Sequence, residues 1–364
     1  LKAVDRAADL VVDLCAISSE SGDAEGLRRC ADHLRRALQD FGFETEIEAW
    51  PNIDGEDQPI LVAGNAPRTQ GHVLLIGHLD TVLPAVEPRR FQDRIEGTGA
   101  LDMKGGFAAL VGALDLLQDR NLKIPPGLIL VGVPDEEIGG PISAAAVRRW
   151  GRDARVVLVL EPGGAVVENG TVVTGETIVT GRRGLSVWRL DARGRAAHSG
   201  LAFADGRSAL AAAAEWSALV QRISEGHGGP IVNVGRIIGG DSEFVQDLGE
   251  EHRFVGTSQR LNVVADRCLA EGEVRYLTSA DRDRALGDMR SLASDVGTRW
   301  DVEMHFEVVE EILPVPSDGC GVELAEDLVR AAADEGWLLE IETDRGGVSF
   351  PNFLPDPAAI PVID

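Results

Sequence analysis

Short apolar runs separated by helical patterns fill the first half of the chain. The runs occupy residues 73–77 (VLLIG), 127–134 (GLILVGVP) and 155–160 (RVVLVL), and residues 103–119 and 143–150 between them have helical spacing. Continuous apolar runs are typical of strands buried on both faces, and their alternation with helices indicates parallel βαβ units. The pattern therefore predicts an α/β fold with a mixed, mostly parallel sheet.

The pattern changes near Gly181. Residues 184–194 and 260–277 alternate between apolar and polar positions, as antiparallel strands with one exposed face do. Residues 204–223 and 281–297 have helical spacing. We therefore predict an inserted α+β domain of the ferredoxin-like kind over residues 181–295.

The remaining residues, 1–180 and 296–364, are predicted to form one discontinuous domain. Strand-like residues 302–309 and helix-like residues 322–336 are expected to complete it.

Composition narrows the class of protein. The 364 residues carry a formal net charge of −25, which argues against nucleic acid and anionic membranes as partners. No apolar run is long enough for a membrane-spanning helix, so we expect no membrane partner. Four widely spaced cysteines are typical of reduced core residues, and they predict a cytoplasmic protein. They are Cys15, Cys30, Cys268 and Cys320.

Residues with metal-binding chemistry follow the predicted parallel strands. In open α/β sheets, ligands bind at the carboxyl ends of such strands. An imidazole and several carboxylates stand at or near these ends, and we expect them to meet at one edge of the sheet. They are His78, Asp102 in the glycine-rich stretch GTGALDMKGG, Asp135, Glu136, Glu137 and Glu161.

So many converging carboxylates would repel one another unless a cation lay among them. Mixed imidazole and carboxylate ligands suit zinc, with manganese or cobalt as substitutes, and an aspartate can bridge two ions. In the pair Glu136-Glu137, one carboxylate can bind metal while the other takes a proton from the attacking water. Asp80, two residues after His78, is the natural acceptor for the other ring N–H of that histidine.

Each of these residues also has an ordinary structural explanation. Asp102 could be a helix N-cap, Glu161 a turn residue and Glu136-Glu137 part of a solvated surface. Their shared position at strand ends favours the metal site.

Five segments carry a resemblance to a known family. In chain order they are HLDTV, GTGALDMKGG, PDEEIGG, LEPG and GRAAHSG. With them the chain resembles the dinuclear zinc metallopeptidases of the aminoacylase, acetylornithine deacetylase and glutamate carboxypeptidase family. HLDTV and GTGALDMKGG are most similar to the glutamate carboxypeptidase branch.

The resemblance implies a role for each residue of the predicted metal site, in a catalytic domain that binds two zinc ions. It also implies a cis peptide bond between Asp102 and Met103. His78 and Glu161 would bind one zinc, Asp102 would bridge both, Glu137 would bind the second, Glu136 would be the general base and Asp80 would orient His78.

The resemblance also assigns the inserted domain. It would be a lid that forms a homodimer, and His198 in GRAAHSG would reach the active site of the partner subunit and polarise the scissile carbonyl. Asn262 and Arg275 would bind a substrate carboxylate. The alternatives are an exposed loop histidine for His198 and a sheet-face salt bridge for Arg275.

Two departures from the family pattern stand near the end of the sequence. RGGVSFPNF (345–353) has Phe350 where an Asp is common and Pro351 where a small residue is common, while Arg345, Gly346 and Gly347 still resemble substrate-contacting residues. The resemblance also implies a last histidine ligand just beyond Asp364, and we expect the natural chain to continue into it.

The predicted function is metal-dependent hydrolysis of an amide or peptide bond. The substrate would be an N-acyl amino acid or a small peptide with a free carboxylate, as for glutamate carboxypeptidases. One alternative is a deacylase of the acetylornithine deacetylase or succinyl-diaminopimelate desuccinylase kind. The other is a non-catalytic homologue that acts as a dimeric binding protein.

Overall fold

The computed structural model describes residues 2–66, 71–168, 171–226, 228–251 and 262–364. The helices are α1 Lys2–Cys15, α2 Ala24–Gln39, α3 Lys104–Asp119, α4 Pro141–Gly151, α5 Ala209–Val220, α6 Ser242–Glu251, α7 Ser279–Trp300 and α8 Gly321–Asp334. The strands are β1 Glu44–Pro51, β2 Asp57–Gly64, β3 His72–His78, β4 Arg89–Arg90, β5 Ile95–Glu96, β6 Leu128–Val133, β7 Ala154–Val159, β8 Ala165–Glu168, β9 Thr171–Val179, β10 Gly184–Arg193, β11 Ile231–Gly240, β12 Arg267–Tyr276, β13 Glu303–Ile312, β14 Leu339–Glu342 and β15 Val362–Ile363.

The chain divides into two compact units. The first comprises Leu1–Gly181, Val315–Arg345 and Ser349–Asp364, and the second comprises Arg182–Pro314 and Gly346–Val348. The predicted boundary at residue 295 therefore differs from the structure at its C-terminal side. Strand β13, expected in the discontinuous domain, pairs antiparallel with β10 and lies in the second unit.

A six-stranded mixed sheet forms the centre of the first unit. Its strand order is β1-β2-β6-β3-β7-β15, and β3 is hydrogen bonded in parallel to both β6 and β7. Side chains of β3 enter two different cores: Leu75 packs with residues of α2 and α3, whereas Leu74 and Ile76 pack with residues of α4. This confirms the predicted α/β class and explains why the 73–77 run is apolar throughout.

The second unit has the predicted α+β arrangement. A four-stranded antiparallel sheet has the order β11-β12-β10-β13, which with α5 and α7 gives the β-α-β-β-α-β succession of ferredoxin-like folds. Trp188 of the sheet meets Trp216 of α5 edge to face, with ring centroids 5.3 Å apart. Both indoles are fully buried, so they anchor the helix to the sheet.

Two further observations concern the chain as a whole. The cysteines are unpaired, and all except Cys320 are buried. In the described part of the chain, no helix combines the length and the apolar character that a membrane span requires.

Candidate metal centre

Three neighbouring parallel strands bring the candidate ligands together. His78 is the last residue of β3 and lies beside Val133, the last residue of β6. Glu136 and Glu137 lie in a short 3-10 helix that follows β6, and Glu161 comes two residues after β7. The expected convergence at one sheet edge is therefore present in the structure.

The imidazole of His78 lies at the centre of the cluster. Its Nε2 atom is 3.0 Å from Oδ1 of Asp102 and 3.4 Å from Oε1 of Glu161. Two groups of ligand atoms each lie within 4.8 Å of one another: His78, Asp102 and Glu137 form one, and His78, Glu136 and Glu161 form the other. Both groups contain His78, whereas the family resemblance gives His78 to one ion only.

The donor set fits a divalent cation. Burial raises the pKa of the Glu161 carboxyl to about 8, and its buried Oε1 atom makes no hydrogen bond within the described part of the chain. Burial also raises the pKa values of Glu136 and Glu137. These carboxyl groups surround a single imidazole, and ionising them is costly. A bound cation would lower that cost because its charge would stabilise the carboxylates.

Asp80 orients His78, mainly through its main chain. Nδ1 of His78 lies 2.9 Å from the carbonyl oxygen of Asp80 and 3.4 Å from its carboxylate oxygen Oδ1. A carbonyl oxygen can only accept, so Nδ1 carries the proton and donates it. Nε2 therefore faces the cluster, and in a neutral ring its lone pair would be available to bind a cation.

The Asp80 carboxylate has a second task that the sequence did not predict. It is fully buried, and it accepts the N–H groups of Glu136 and Glu137, each at 3.2 Å. The Ser21 hydroxyl donates to its Oδ2 atom at 2.7 Å. One carboxylate thus fixes both the histidine and the backbone of the Glu136-Glu137 turn. Ser21 stands 59 residues earlier in the chain, so no local motif could reveal it.

Asp135 takes no part in the cluster, although the sequence pattern grouped it with the other acids. Its carboxylate accepts the N–H groups of Ile142 at 2.8 Å and Ser143 at 2.9 Å. These are free N–H groups in the first turn of α4, so Asp135 caps that helix. The cap holds the far side of the Glu136-Glu137 turn.

Asp102 is not a helix cap. Helix α3 begins at Lys104 with Met103 in the cap position and no capping side chain, and the expected cis peptide bond between Asp102 and Met103 is present. The Lys104 ammonium is buried and donates to the carbonyl groups of Leu14 and Ile17 at 3.0 and 2.9 Å. These bonds hold the segment beside Asp102 against the end of α1.

In the second unit, His198 and Asn262 are neighbours. Nε2 of His198 lies 3.3 Å from Nδ2 of Asn262, and both residues are exposed. The Gly200 N–H donates to Nδ1 of His198 at 3.1 Å. Both contacts bring an N–H donor to the ring, so they do not fix which ring nitrogen carries the proton.

Arg275 does not join this pair. It lies near the C-terminal end of β12, eight residues past Arg267, which is about 26 Å along an extended strand. Its guanidinium donates to both carboxylate oxygens of Glu273, at 3.1 and 3.0 Å. The sheet-face salt bridge considered for Arg275 is therefore present, and one chain does not bring Arg275 together with His198 and Asn262.

The unusual late segment is divided between the units. Gly346 belongs to the second unit, and a Cβ atom added to it would meet nothing within 4 Å. Phe350, at the position where the family commonly has Asp, is fully buried, and its ring centroid lies 6.4 Å from that of His78. Arg345 lies in the first unit, where it donates to Glu342 and to the carbonyl of Pro162, the residue after Glu161. Phe350 thus places an apolar wall near the imidazole.

A parallel sheet with a histidine and carboxylates at its strand ends, interrupted by an antiparallel α+β unit, defines the class of two-domain metallopeptidases. The chain belongs to peptidase family M20/M25/M40, whose family model matches residues 74–362. This range contains all five segments that carried the resemblance, which is confirmed.

Individual relatives agree with this assignment. A probable carboxypeptidase of Aspergillus terreus is 32% identical over 255 residues, which are 63% of this chain and 54% of that protein. Carboxypeptidase G2 of a Pseudomonas species is 25% identical over 290 residues, which are 77% of this chain and 62% of that protein. The chain thus spans little more than half of the length of these relatives.

A solved structure has the same fold. Aminopeptidase PepT of Bacillus cereus superposes with a TM-score of 0.73 and 22% identity, covering 99% of this chain and 89% of that chain. The match extends over both units of the chain.

Proposed function

We propose that the protein hydrolyses an amide or peptide bond in an N-acyl amino acid or small peptide with a free carboxylate, with two divalent cations, most simply zinc. The observation that carries the proposal is the convergence of His78, Asp102, Glu137 and Glu161 within the two groups of potential ligand atoms. Family membership supports the reaction class. The unpaired cysteines support a cytoplasmic location.

Four residues would hold the cations. His78 and Glu161 would bind one ion, Glu137 would bind the other, and Asp102 would bind both. Bound at these positions, the cations would polarise the scissile carbonyl and make the attacking water more acidic.

Glu136 is the proposed general base. It takes the proton from the attacking water and returns it to the leaving amine. Burial raises its carboxyl pKa, which favours this role because a base is most effective when its pKa lies near the working pH. Its backbone N–H is held by Asp80, so the turn that carries the carboxylate is fixed.

A homodimer through the second unit is part of the proposal. His198 would donate a ring N–H to the developing oxyanion in the site of the partner subunit. Asn262 lies beside His198 and would enter the same site with it. Arg275, at the other end of β12, would serve a substrate carboxylate in a different site of the dimer.

Two alternatives remain to be distinguished by experiment. A deacylase of the acetylornithine deacetylase kind would release acetate or succinate from a diamino substrate. A non-catalytic dimer would bind without turnover, and the Phe350 substitution is the observation that favours it.

A substrate panel combined with metal analysis tests the proposal. We expect about two zinc ions per full-length subunit and release of C-terminal glutamate from N-acyl-glutamates or dipeptides. Preferential turnover of N-acetylornithine or N-succinyl-diaminopimelate would favour the deacylase. A full-length protein with neither metal nor turnover would contradict the proposal.

We expect Ser21→Ala to weaken zinc binding about tenfold, the lower end of the range for residues that orient ligands. The variant removes a hydroxyl that donates to the Asp80 carboxylate, and this carboxylate holds the Glu136-Glu137 turn. Competition with a chromophoric chelator measures the dissociation constant.

Ser19→Ala is the matched control, because Ser19 comes from the same loop but donates to the main-chain carbonyl of Leu79 at 2.8 Å. Its zinc affinity should stay near that of the wild type. Equal loss in both variants would show that general loosening of the loop, and not the Asp80 carboxylate, is responsible.

A further inference from the structure

Four large apolar side chains stand exposed directly beside candidate ligands. They are between 64 and 74% exposed, which is unusual for residues of their size. Leu101 immediately precedes Asp102, Ile138 immediately follows Glu137, and Val82 and Leu83 follow Asp80 by two and three residues. We refer to Val82, Leu83, Leu101 and Ile138 as the apolar rim.

The loops that carry the apolar rim are joined to one another. The Thr98 hydroxyl donates to the carbonyl of Pro84 at 2.9 Å and accepts the N–H of Val86 at 3.3 Å. It thereby ties the loop after β3 to the loop that ends at Asp102. The Thr81 hydroxyl donates to the carbonyl of Leu83 at 2.8 Å and fixes the first turn of the loop.

The third loop is tied to the same place. The N–H of Glu137, next to Ile138, donates to the Asp80 carboxylate at 3.2 Å. The loop after β3 is therefore joined to both other loops, to one at Pro84 and Val86 and to the other at Asp80, and these bonds connect the segments that carry the apolar rim. Consecutive Cα atoms are about 3.8 Å apart. The Cα atoms of Leu101 and Ile138 are therefore this far from the Cα atoms of two proposed ligands, Asp102 and Glu137.

Exposed apolar side chains grouped at one place mark a binding surface. Here the apolar rim adjoins the residues proposed to hold the cations that would polarise the scissile carbonyl. The part of the substrate next to that carbonyl is therefore the occupant that we infer. The carboxylate side of the substrate is assigned above to polar residues of the second unit. The acyl side is the part left for the apolar rim.

We propose that the apolar rim selects substrates whose acyl group is large and apolar, such as medium-chain aliphatic or aromatic N-acyl amino acids, over N-acetyl and N-formyl ones. This inference rests on the proposed function and deepens it by naming the substrate class. Contact between an extended acyl chain and the rim removes apolar surface from water, and each buried methylene raises transition-state binding about fourfold.

The experiment compares kcat/KM of the full-length, zinc-loaded enzyme for N-acetyl-, N-hexanoyl- and N-benzoyl-glutamate. We expect the hexanoyl and benzoyl compounds to exceed the acetyl compound by at least about tenfold, because several methylene or ring carbons contact the rim. Leu101→Ser and Ile138→Ser should each lower the hexanoyl-to-acetyl ratio about fivefold or more.

Leu122→Ser is the matched control. Leu122 is also more than half exposed, but it follows the far end of α3, a helix whose 16 residues span about 24 Å. Its hexanoyl-to-acetyl ratio should equal that of the wild type.

The outcomes separate the inference from the proposed function. Cleavage of none of the three compounds contradicts the proposed function itself. Cleavage with equal kcat/KM for all three, or rim variants that keep the wild-type ratio, overturns only the inference. The rim variants could instead lose kcat/KM equally on all substrates and change their oligomeric state, measured by light scattering. That result would mean that a second copy of the chain covers the apolar rim, and it would also overturn the inference.

Discussion

Glu136→Gln should lower turnover on the order of 10³-fold and leave metal content unchanged. The amide cannot take a proton from water, and removing a general base commonly costs 10²- to 10⁴-fold. The side chain is nearly the same size, and the backbone N–H bond to Asp80 does not involve it, so the turn should keep its conformation. Initial rates and elemental analysis of the same preparation measure both quantities.

Two variants control this result. Glu137→Gln should lower metal content, because Glu137 is a proposed ligand, whereas Glu136 is proposed to act on the attacking water although it too lies within one of the two groups. Glu335→Gln, at an exposed position after α8, should change neither quantity. Activity of Glu136→Gln within a few-fold of the wild type would mean that another group moves the proton.

Asp102→Ala should abolish turnover and remove most bound metal. Asp102 is the residue proposed to contact both ions, and it lies 3.0 Å from the imidazole nitrogen that would bind one of them. The substitution also removes the hydrogen bond to His78, which lowers the pKa of the Asp102 carboxyl and so favours its charged form in the folded protein. The metal-free variant should therefore melt at or below the temperature of the metal-free wild type.

Asp119→Ala provides the comparison at the other end of the same helix, where the side chain is exposed. It should keep full metal content and activity. Retention of two ions by Asp102→Ala would contradict the bridging role, and a rise in its metal-free melting temperature would show that repulsion among the carboxylates outweighs the His78 contact.

The convergence of the candidate ligands could be predicted because their signal is local. His78, Asp102, Glu137 and Glu161 each follow a recognisable strand or precede a helix, and the strand-end rule places them together. The supporting contacts depend on folding. Ser21 is hydrogen bonded to Asp80, 59 residues later in the chain. Asp135 does not join the cluster but accepts the N–H of Ile142, seven residues later, at the start of α4.

The second unit shows the same limit. Alternation predicted the strand character of residues 302–309 but could not reveal that β13 pairs with β10 at a sheet edge. The separation of Asn262 from Arg275 does follow from the sequence, because both lie in the alternating segment 260–277, and only the family resemblance assigned them to the same substrate group.

The contacts of the Asp80 carboxylate bear on when, during folding, the candidate metal ligands become arranged. Its partners come from the loop after α1, from β3 and from the turn after β6, segments separated by 59 and 56 residues. Contacts between such distant segments form late in folding. A nascent or partly folded chain therefore lacks the arranged candidate ligands, and capture of cations at the proposed site would depend on completion of the sheet. Metal loading would then report that folding is complete.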